Sequence, residues 1–298
     1  MKILISGAFG FLGRVVSASY NESGNTIISL GIENENNIIC DLSKEVPLLT
    51  DKIEVVIHAA GKAHVIPRTA KEAEDFFSVN FQGTQHLLTA LERSEKIPQT
   101  IVFISTVAVY GVETGLNIDE TSPLLGGTPY ADSKIKAEEL LVQWGRQHQV
   151  NVLILRLPLL VGANAPGNLG SMIKAIRKGY YFRIGDGSAR RSMVLAEDVA
   201  LFLPHTVGKN GIYNLTDGYH PSFKEIEDTI AGSLSRKIRK IPMWLATAVA
   251  RVGDLLPFLP VSSLKIAKIT QSLTFSDKKA RTEIGWNSRS VIENFKLT

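Results

Sequence analysis

The chain has 298 residues, of which 44% are hydrophobic and 21% charged, a composition typical of a globular protein with one large domain or two unequal ones. The net charge of +4 comes from scattered lysines and arginines, so it gives little support to nucleic-acid binding and suits a small anionic substrate. The single cysteine, Cys40, excludes a disulfide framework and a cysteine-rich metal site, and it fits a cytoplasmic protein.

The first half of the chain alternates short apolar runs with stretches of helical periodicity. Five runs predict β-strands buried on both faces: KILIS, TIISL, VVIHAA, TIVFIS and NVLILR. Apolar residues at helical spacing predict helices at 11–20, 70–91 and 131–148. This alternation predicts an α/β fold with a doubly wound parallel sheet and a ligand at the carboxyl ends of its strands.

The second half of the chain is richer in loops. The segments GANAPGNLG, GDGSARRS and GKNGIYNLTDGYHPS are expected to be loops between helices at 171–178, 197–203, 223–234, 244–255 and 277–284. We therefore predict a large domain over residues 1–162, joined by part of 192–216, and a smaller, partly interleaved α/β domain over residues 163–298.

Residues 241–261, IPMWLATAVARVGDLLPFLPV, are a candidate for membrane contact. Arg251, Asp254, Pro257 and Pro260 interrupt this run, which argues against a helix that spans a bilayer. A packed helix and a surface that rests on a membrane are both compatible with the pattern.

Three glycines follow the first predicted strand at spacings of three. Gly7 would allow a tight turn, Gly10 the close approach of a pyrophosphate, and Gly13 close packing of the next helix on the strand. The amino end of that helix offers free N–H groups to phosphates. This spacing in this position predicts a dinucleotide-binding loop.

The end of the second predicted strand should carry an acidic residue if the adenosine ribose of NAD is bound there. Gly31 occupies that place, with Glu33 and Glu35 slightly beyond it, and no arginine stands there for NADP. The choice between NAD and NADP therefore stays open, and Asp41 is interpreted as a contact to the adenine edge.

Tyr130 and Lys134 in YADSK lie four residues apart at the start of a predicted helix, so they share a helix face. A lysine cation one turn away favours the phenolate and lets the tyrosine exchange a proton with a substrate oxygen. Ser105 and Thr106 end the strand TIVFIS, where a hydroxyl could hydrogen-bond the same oxygen. Together they predict a proton-transfer site.

These motifs carry a family resemblance. GAFGFLG, HAAG, VNFQGT, STVAVYG, YADSK and LRLPLLVG match, in order, the signatures of extended short-chain dehydrogenases/reductases of the NAD-dependent epimerase/dehydratase family, and GDGSARRSMVLAEDVA resembles its substrate segment. The resemblance covers nearly the whole chain. It implies a Rossmann-type fold, NAD or NADP as cofactor, a nucleotide-sugar substrate, and a homodimer formed through the helices at 70–91 and 131–148.

The resemblance also implies roles for individual residues. It makes Tyr130 the catalytic acid/base, Lys134 its partner and a ribose ligand, and Thr106 the catalytic hydroxyl. Asn80 resembles the asparagine that braces the central helix and the sheet, and His58 is expected to pack below the cofactor.

Substrate contacts are implied for Thr106, Val107, Asn168 and Arg191, the last two at positions that in relatives contact the diphosphate of a nucleotide sugar. The implied cofactor contacts are Gly7, Phe9, Gly10, Phe11, Leu12, Gly13, Asp41, Leu42, Ala59, Ala60, Gly61, Asn80, Ser105, Tyr130, Lys134 and Leu157.

Dehydratases of the resembled family carry an acidic pair just after the catalytic hydroxyl, where this chain has Val107 and Ala108, so dehydration is disfavoured. HAAGKAHVIP at 58–67 and the ending RRSMV resemble the branch of the family that includes bacterial 4-ketoreductases and 4-epimerases of N-acetylated hexosamines. This resemblance implies hydride transfer at C4 of a UDP-N-acetylhexosamine-type sugar for surface polysaccharides. Gly31 favours a 4-ketoreductase slightly over a 4-epimerase, which could act on a lipid-linked sugar. A non-catalytic dinucleotide sensor is a more distant alternative, because Thr106, Tyr130 and Lys134 are all present.

Overall fold

The computed structural model describes residues 1–22, 24–63, 65–255 and 263–295. The strands are β1 (Lys2–Ser6), β2 (Thr26–Gly31), β3 (Ile38–Ile39), β4 (Val55–His58), β5 (Thr100–Thr106), β6 (Gly115–Ile118), β7 (Asn151–Leu157), β8 (Leu159–Val161), β9 (Phe182–Ile184), β10 (Met193–Leu195), β11 (Gly211–Asn214), β12 (Arg239–Ile241) and β13 (Leu273–Phe275). The helices are α1 (Phe11–Glu22), α2 (Ala70–Phe77), α3 (Gly83–Arg93), α4 (Pro129–His148), α5 (Gly167–Lys178), α6 (Ala196–Phe202), α7 (Phe223–Ser233), α8 (Met243–Leu255), α9 (Ser263–Thr270), α10 (Lys278–Glu283) and α11 (Val291–Asn294).

Seven strands of the described chain form one parallel sheet in the order β11-β7-β5-β4-β1-β2-β3. The order reverses at β1, which pairs with β2 on one side and with β4 on the other, and ligands of such sheets bind at this switch point. The predicted doubly wound α/β fold is confirmed.

Side chains alternate along each strand, so each strand contributes residues to a buried core on both faces of the sheet. Ile3 and Ile5 of β1 point into a core shared with α1 and α6, while Leu4 points into a second core shared with α3 and α4. The five predicted strands are confirmed, and their apolar runs are continuous because each strand is covered on both sides.

Three local predictions are wrong. The sequence predicts a loop at Gly211–Asn214, but this segment forms β11 and pairs with β7 at the edge of the large sheet. Residues 70–91 do not form one regular helix, because a π-helical turn at Ser78–Gln82 separates α2 from α3. Helix α5 begins at Gly167, inside a segment expected to be loop.

The second half of the chain contributes at least one strand to each of three short strand pairs in the described residues, β8 with β10, β9 with β12, and β6 with β13. Its last segment returns to the large sheet, since Ala280, Ile284 and Trp286 are buried in the core that contains Ile3 and Ile5. The predicted domain boundary at residue 162 stays a prediction.

The candidate membrane segment is described over residues 241–255, where it forms the end of β12 and the helix α8, and residues 256–261 lie outside the described residues. Within the described ranges, no helix has both the length and the apolar character needed to cross a bilayer.

Candidate active site

A cleft of about 410 Å³ opens where β1, β4, β5 and β7 end. Its walls come from the glycine loop, the residues after β4, the end of β5, the start of α4 and the residues from Leu157 to Pro166. The lining residues are Gly7, Gly10, Phe11, Leu12, Gly13, Ala59, Gly61, Lys62, Ala63, Ile104, Ser105, Thr106, Tyr130, Lys134, Leu157, Pro158, Leu159, Leu160 and Pro166.

The glycine loop has no room for side chains at two of its three glycines. Gly7 has a φ of 71°, and a Cβ on it would lie 2.8 Å from the backbone of Ala60. A Cβ on Gly13 would collide with the Gly7 carbonyl oxygen. The backbone therefore closes tightly after β1, and α1 begins directly at the cleft, which is the shape that a pyrophosphate needs.

The end of β2 lies beside this loop, since Gly7 N donates to Leu30 O at 2.9 Å. A Cβ on Gly31 would lie 2.9 Å from Glu33 Oε2 and 3.0 Å from Asn36 Nδ2. Asn36 donates to this carboxylate oxygen at 3.0 Å, and its own buried Oδ1 has no hydrogen-bond partner in the described chain. The Glu33 carboxylate therefore lies over Gly31, the glycine at the position where an acidic residue is expected.

Tyr130 and Lys134 lie in the first two turns of α4, which Thr128 caps by accepting a hydrogen bond from Ala131 N at 3.2 Å. Both side chains line the cleft, together with Thr106 at the end of β5. Burial raises the pKa of Tyr130, and a hydrogen bond with the Thr106 hydroxyl opposes this rise. The same hydroxyl oxygen accepts from Ala108 N at 3.1 Å, so Thr106 also caps the turn after β5.

The side chain of Lys134 is buried and has few polar contacts. Its Nζ donates to Ile104 O at 2.9 Å and lies 4.4 Å from the ring centroid of Phe103. Burial lowers the pKa of Lys134 to about 8, and the negative charge of Glu138 raises it in part. The amine is therefore a cation at neutral pH that loses its proton a little above it.

Asn80 lies in the π-helical turn between α2 and α3, a rare geometry that is common at functional sites. Its Oδ1 accepts from Lys62 N at 2.8 Å, and its Nδ2 donates to Lys62 O at 3.1 Å and to Ser133 Oγ at 2.9 Å. It joins the loop after β4 to α4, so the wall formed by Gly61 and Lys62 is fixed relative to Lys134.

His58 ends β4 below the cleft, in a chain of short hydrogen bonds. Its Nδ1 lies 2.6 Å from Ser6 Oγ, and its Nε2 lies 2.9 Å from Thr84 Oγ1, whose hydroxyl donates to Asn80 O. Nε2 must therefore carry the proton, while Nδ1 accepts from Ser6. Burial, followed by the charge of Lys134, lowers the pKa of His58 to about 3, which keeps the ring neutral.

A buried ion pair lies beside the end of β5, and the sequence reasoning missed it. Arg156 Nη2 lies 2.6 Å from Glu138 Oε2, Ser105 Oγ donates to Glu138 Oε1 at 2.5 Å, and Arg156 Nη1 donates to the hydroxyl of Tyr110 at 3.1 Å. That hydroxyl donates to Asn214 of β11 at 2.8 Å. An arginine inside the apolar run VLILRL was the available signal, because a buried cation requires a partner.

Several predicted site residues do not line the cleft. Ala60 N donates to Ser6 Oγ at 3.3 Å, Phe9 stacks with Arg14, and Leu42 packs in the second core. Asp41 forms an ion pair with Lys44 at 2.8 Å. These contacts leave their assignment as cofactor ligands a prediction.

The three remaining substrate candidates lie at different depths. Val107 packs beside Tyr110 in a small core, and Asn168 is exposed in the first turn of α5. Arg191 Nη2 donates to Lys268 O, and its buried Nη1 has no partner in the described chain. The cleft also includes residues that the sequence reasoning did not name, among them Lys62, which pairs with Asp75 at 2.7 Å.

Comparison with known proteins decides the family. A family model described as "NAD dependent epimerase/dehydratase family" matches residues 3–215. The chain belongs to this family. The predictions of an enzyme that acts on sugar nucleotides and of a nicotinamide dinucleotide cofactor are therefore confirmed at the level of the family.

Two curated relatives extend along most of the chain. N-acetyl-alpha-D-glucosaminyl-diphospho-ditrans,octacis-undecaprenol 4-epimerase from Escherichia coli O157:H7 is 27% identical, over 94% of this chain and 89% of that protein. UDP-glucose 4-epimerase from Vibrio cholerae is 24% identical, over 100% and 94%. Among solved structures, MoeE5 in complex with UDP-glucose and NAD has a TM-score of 0.76 at 19% identity, covering 98% of this chain and 95% of that one.

The described residues fit a dinucleotide. A Cβ on Gly7 or Gly13 would collide with neighbouring backbone. Because neither residue carries a side chain, the backbone of the loop stays open to a pyrophosphate at the start of α1. Gly61 is equally restricted, because a Cβ there would lie 3.0 Å from Asn80 Oδ1 and 3.3 Å from Lys134 Nζ. Lys134 at this point would donate to the ribose next to the nicotinamide.

Proposed function

We propose that this protein is a 4-epimerase that removes and returns hydride at C4 of an N-acetylhexosamine carried on a diphosphate. The observation that carries the proposal is the meeting of Thr106, Tyr130 and Lys134 on one wall of the cleft where the parallel strands end. Val107 and Ala108 stand where family dehydratases carry acids, which supports chemistry at C4 without dehydration.

Tyr130 removes the proton of the C4 hydroxyl while the C4 hydride leaves, and it returns that proton to the keto oxygen when hydride comes back to the opposite face. When bound, the nicotinamide supplies the acceptor and then the donor of that hydride. Thr106 donates to the same sugar oxygen and keeps it within reach of the phenol. Because burial raises the pKa of Tyr130, the positive charge of Lys134 is needed to make the phenolate accessible.

Epimerisation is preferred over a single reduction because of Glu33. Gly31 alone favoured the ketoreductase, since it leaves the strand without the acid that binds NAD tightly. The Glu33 carboxylate over Gly31 supplies an acid at this place and supports a retained NAD. The two relatives from Escherichia coli and Vibrio cholerae, both 4-epimerases, support the same choice. The ketoreductase is the second candidate, favoured by Gly31 itself.

The carrier of the sugar is proposed to be a diphosphate bound by Arg191, whose buried Nη1 is free to donate in the described chain. A nucleotide and a polyprenyl lipid both present such a diphosphate. The relative from Escherichia coli acts on a lipid-linked sugar, which supports the second carrier. The homodimer and the cytoplasmic location stay predictions.

Incubation of the purified protein with UDP-N-acetylglucosamine, and separately with polyprenyl diphosphate N-acetylglucosamine, tests the proposal. A 4-epimerase produces the galacto isomer without net consumption of NADH, and its purified form carries NAD. Stoichiometric oxidation of NADH by a 4-keto sugar would instead identify the ketoreductase.

Replacement of Tyr130 by Phe tests the catalytic assignment. Loss of the proton-transferring hydroxyl should lower kcat by about 10²–10⁴-fold while NAD binding is retained. Tyr20→Phe is the matched control, because the Tyr20 hydroxyl has no hydrogen-bond partner in the described chain and Tyr20 does not line the cleft. Unchanged turnover in Tyr130→Phe would contradict the mechanism and favour a binding role.

A further inference from the structure

One face of α8 has no covering element in the described chain. Its inner face packs through Ala246 and Ala250 against Ile184 and Ile241 of the β9–β12 strand pair. Around the other sides of the helix, Met243, Trp244, Leu245 and Val249 are exposed, with Trp244 at 72%. A surface helix normally turns polar residues outward, so apolar residues on both sides of α8 require an explanation.

The exposed apolar residues continue onto the strand pair beneath. Phe182 of β9 is exposed, as is Tyr180 just before it. The turn after β9 touches the start of α8, since a Cβ on Gly185 would lie 2.9 Å from Met243 Cε. Exposed apolar patches of this kind mark interaction sites, and tryptophan and tyrosine are the residues that favour the membrane–water boundary.

Exposed basic residues flank the apolar ones. Arg236, Lys237, Arg239 and Lys240 lead into α8, and Arg239 is paired in register with Phe182. None of these four side chains forms an ion pair with another described residue. Lys240 interacts with Asp186: hydrogen bonds with Ser188 lower the pKa of this carboxyl most, and the charge of Lys240 lowers it further.

We infer that this surface, formed by Tyr180, Phe182 and the outer face of α8 with the basic residues 236–240, docks on an anionic phospholipid bilayer. The apolar side chains enter the boundary between headgroups and acyl chains, and the basic side chains contact lipid phosphates. The basic side chains favour an anionic lipid surface over a second copy of this chain, since two such surfaces would bring eight basic side chains together.

The surface is connected to Arg191 through α9. Helix α9 packs on α8 through Ile266, and its Lys268 carbonyl accepts the hydrogen bond from Arg191. This part of the inference rests on the proposed function: a diphosphate at Arg191 whose lipid tail stays in the bilayer would enter from the side that α8 holds against the membrane. The docking itself does not depend on any sugar.

Intrinsic fluorescence gives a direct readout. Of the three tryptophans, Trp144 and Trp286 are buried at 5% and 2% exposure, so Trp244 alone faces solvent. Vesicles of phosphatidylglycerol and phosphatidylcholine should shift its emission to the blue and protect it from an aqueous quencher. Vesicles of phosphatidylcholine alone should do so weakly, and Trp244→Phe should abolish the shift.

Flotation with the same vesicles measures affinity in a matched pair of variants. Leu245→Glu should lose binding, whereas Leu201→Glu, an equally apolar exposed residue on α6, should bind as the unchanged protein does. Arg239→Gln with Lys240→Gln should weaken binding about 30-fold, at about 1 kcal/mol for each basic side chain near an anionic surface.

Binding that is absent, or equal for Leu245→Glu and the unchanged protein, would overturn the docking. Dimer dissociation by Leu245→Glu in sedimentation velocity, without an effect on vesicles, would assign the surface to a second copy and also overturn it. Epimerisation of a soluble UDP-sugar without vesicle binding would leave the proposed function intact and contradict only the proposed docking on a bilayer. Vesicle binding without turnover of any sugar would leave the docking intact and contradict only the proposed function.

Discussion

The floor of the cleft and the outer face of α8 differ in what their side chains contact. Below the cleft, Ser105, Glu138, Arg156 and Tyr110 hydrogen-bond one another in the protein interior. On α8, a tryptophan and its apolar neighbours remain in contact with solvent. Contacts within the chain satisfy the polar groups of the first region, whereas the apolar side chains of the second are exposed, and we propose that a bilayer covers them.

The largest expected effect tests the internally paired region. Arg156→Met leaves the Glu138 carboxylate buried without its cation, which should cost about 3–5 kcal/mol of unfolding free energy in urea titrations. Adding Glu138→Gln should recover much of the loss, because the second change removes the buried charge and keeps an acceptor for Ser105. A double variant as unstable as Arg156→Met alone would show that the pair contributes through shape and not through charge.

The cleft floor also shows what the sequence could predict. Short continuous apolar runs identified five strands of the large sheet, because a strand that is buried on both faces carries apolar residues at successive positions. β11 escaped prediction because GIYN is short and lies at the sheet edge, where its place depends on Arg156, Tyr110 and Asn214 meeting in space. Such distant pairings are not visible as a local pattern.

The site followed the same rule. Tyr130 and Lys134 were found because four residues of helix bring them together locally. The π-helical turn that directs Asn80, and the return of Glu33 over Gly31, depend on backbone geometry that residue types do not reveal. The outer face of α8 was ambiguous in the sequence for another reason: an apolar helix has the same pattern whether or not a second element covers it.

A smaller effect is expected at the cofactor end of the cleft. Glu33→Gln removes the negative charge that would accept from the ribose hydroxyls and repel a 2′-phosphate. The Kd for NAD should rise about tenfold, as for one charged hydrogen bond at an exposed site, while the Kd for NADP falls. Calorimetric titration of both dinucleotides measures this change in preference. Glu35→Gln is the control, and an equal change in both variants would refute a specific role for Glu33.

The protonation of Lys134 should make the unfolding free energy depend on pH through the region of the cleft. Its pKa falls from the ordinary value to about 8 in the folded chain, so between pH 8 and the unfolded pKa the unfolded state binds more protons. Stability should therefore rise as the pH passes through the folded pKa, by about 1 kcal/mol between pH 7 and pH 9. The cofactor-free protein should lose this rise in Lys134→Met, and a rise retained in that variant would assign it to another group.

The smallest expected effect is on α8 and compares two tryptophans. Trp286 packs against Phe202 and donates to Thr216 O at 2.8 Å, so Trp286→Ala should cost about 3–5 kcal/mol. Trp244→Ala should change the unfolding free energy by about 0.5 kcal/mol or less, because the side chain already faces water. Urea unfolding without vesicles measures both. A large cost at Trp244 would mean that its ring stabilises the fold, and the contrast between the two regions would then fail.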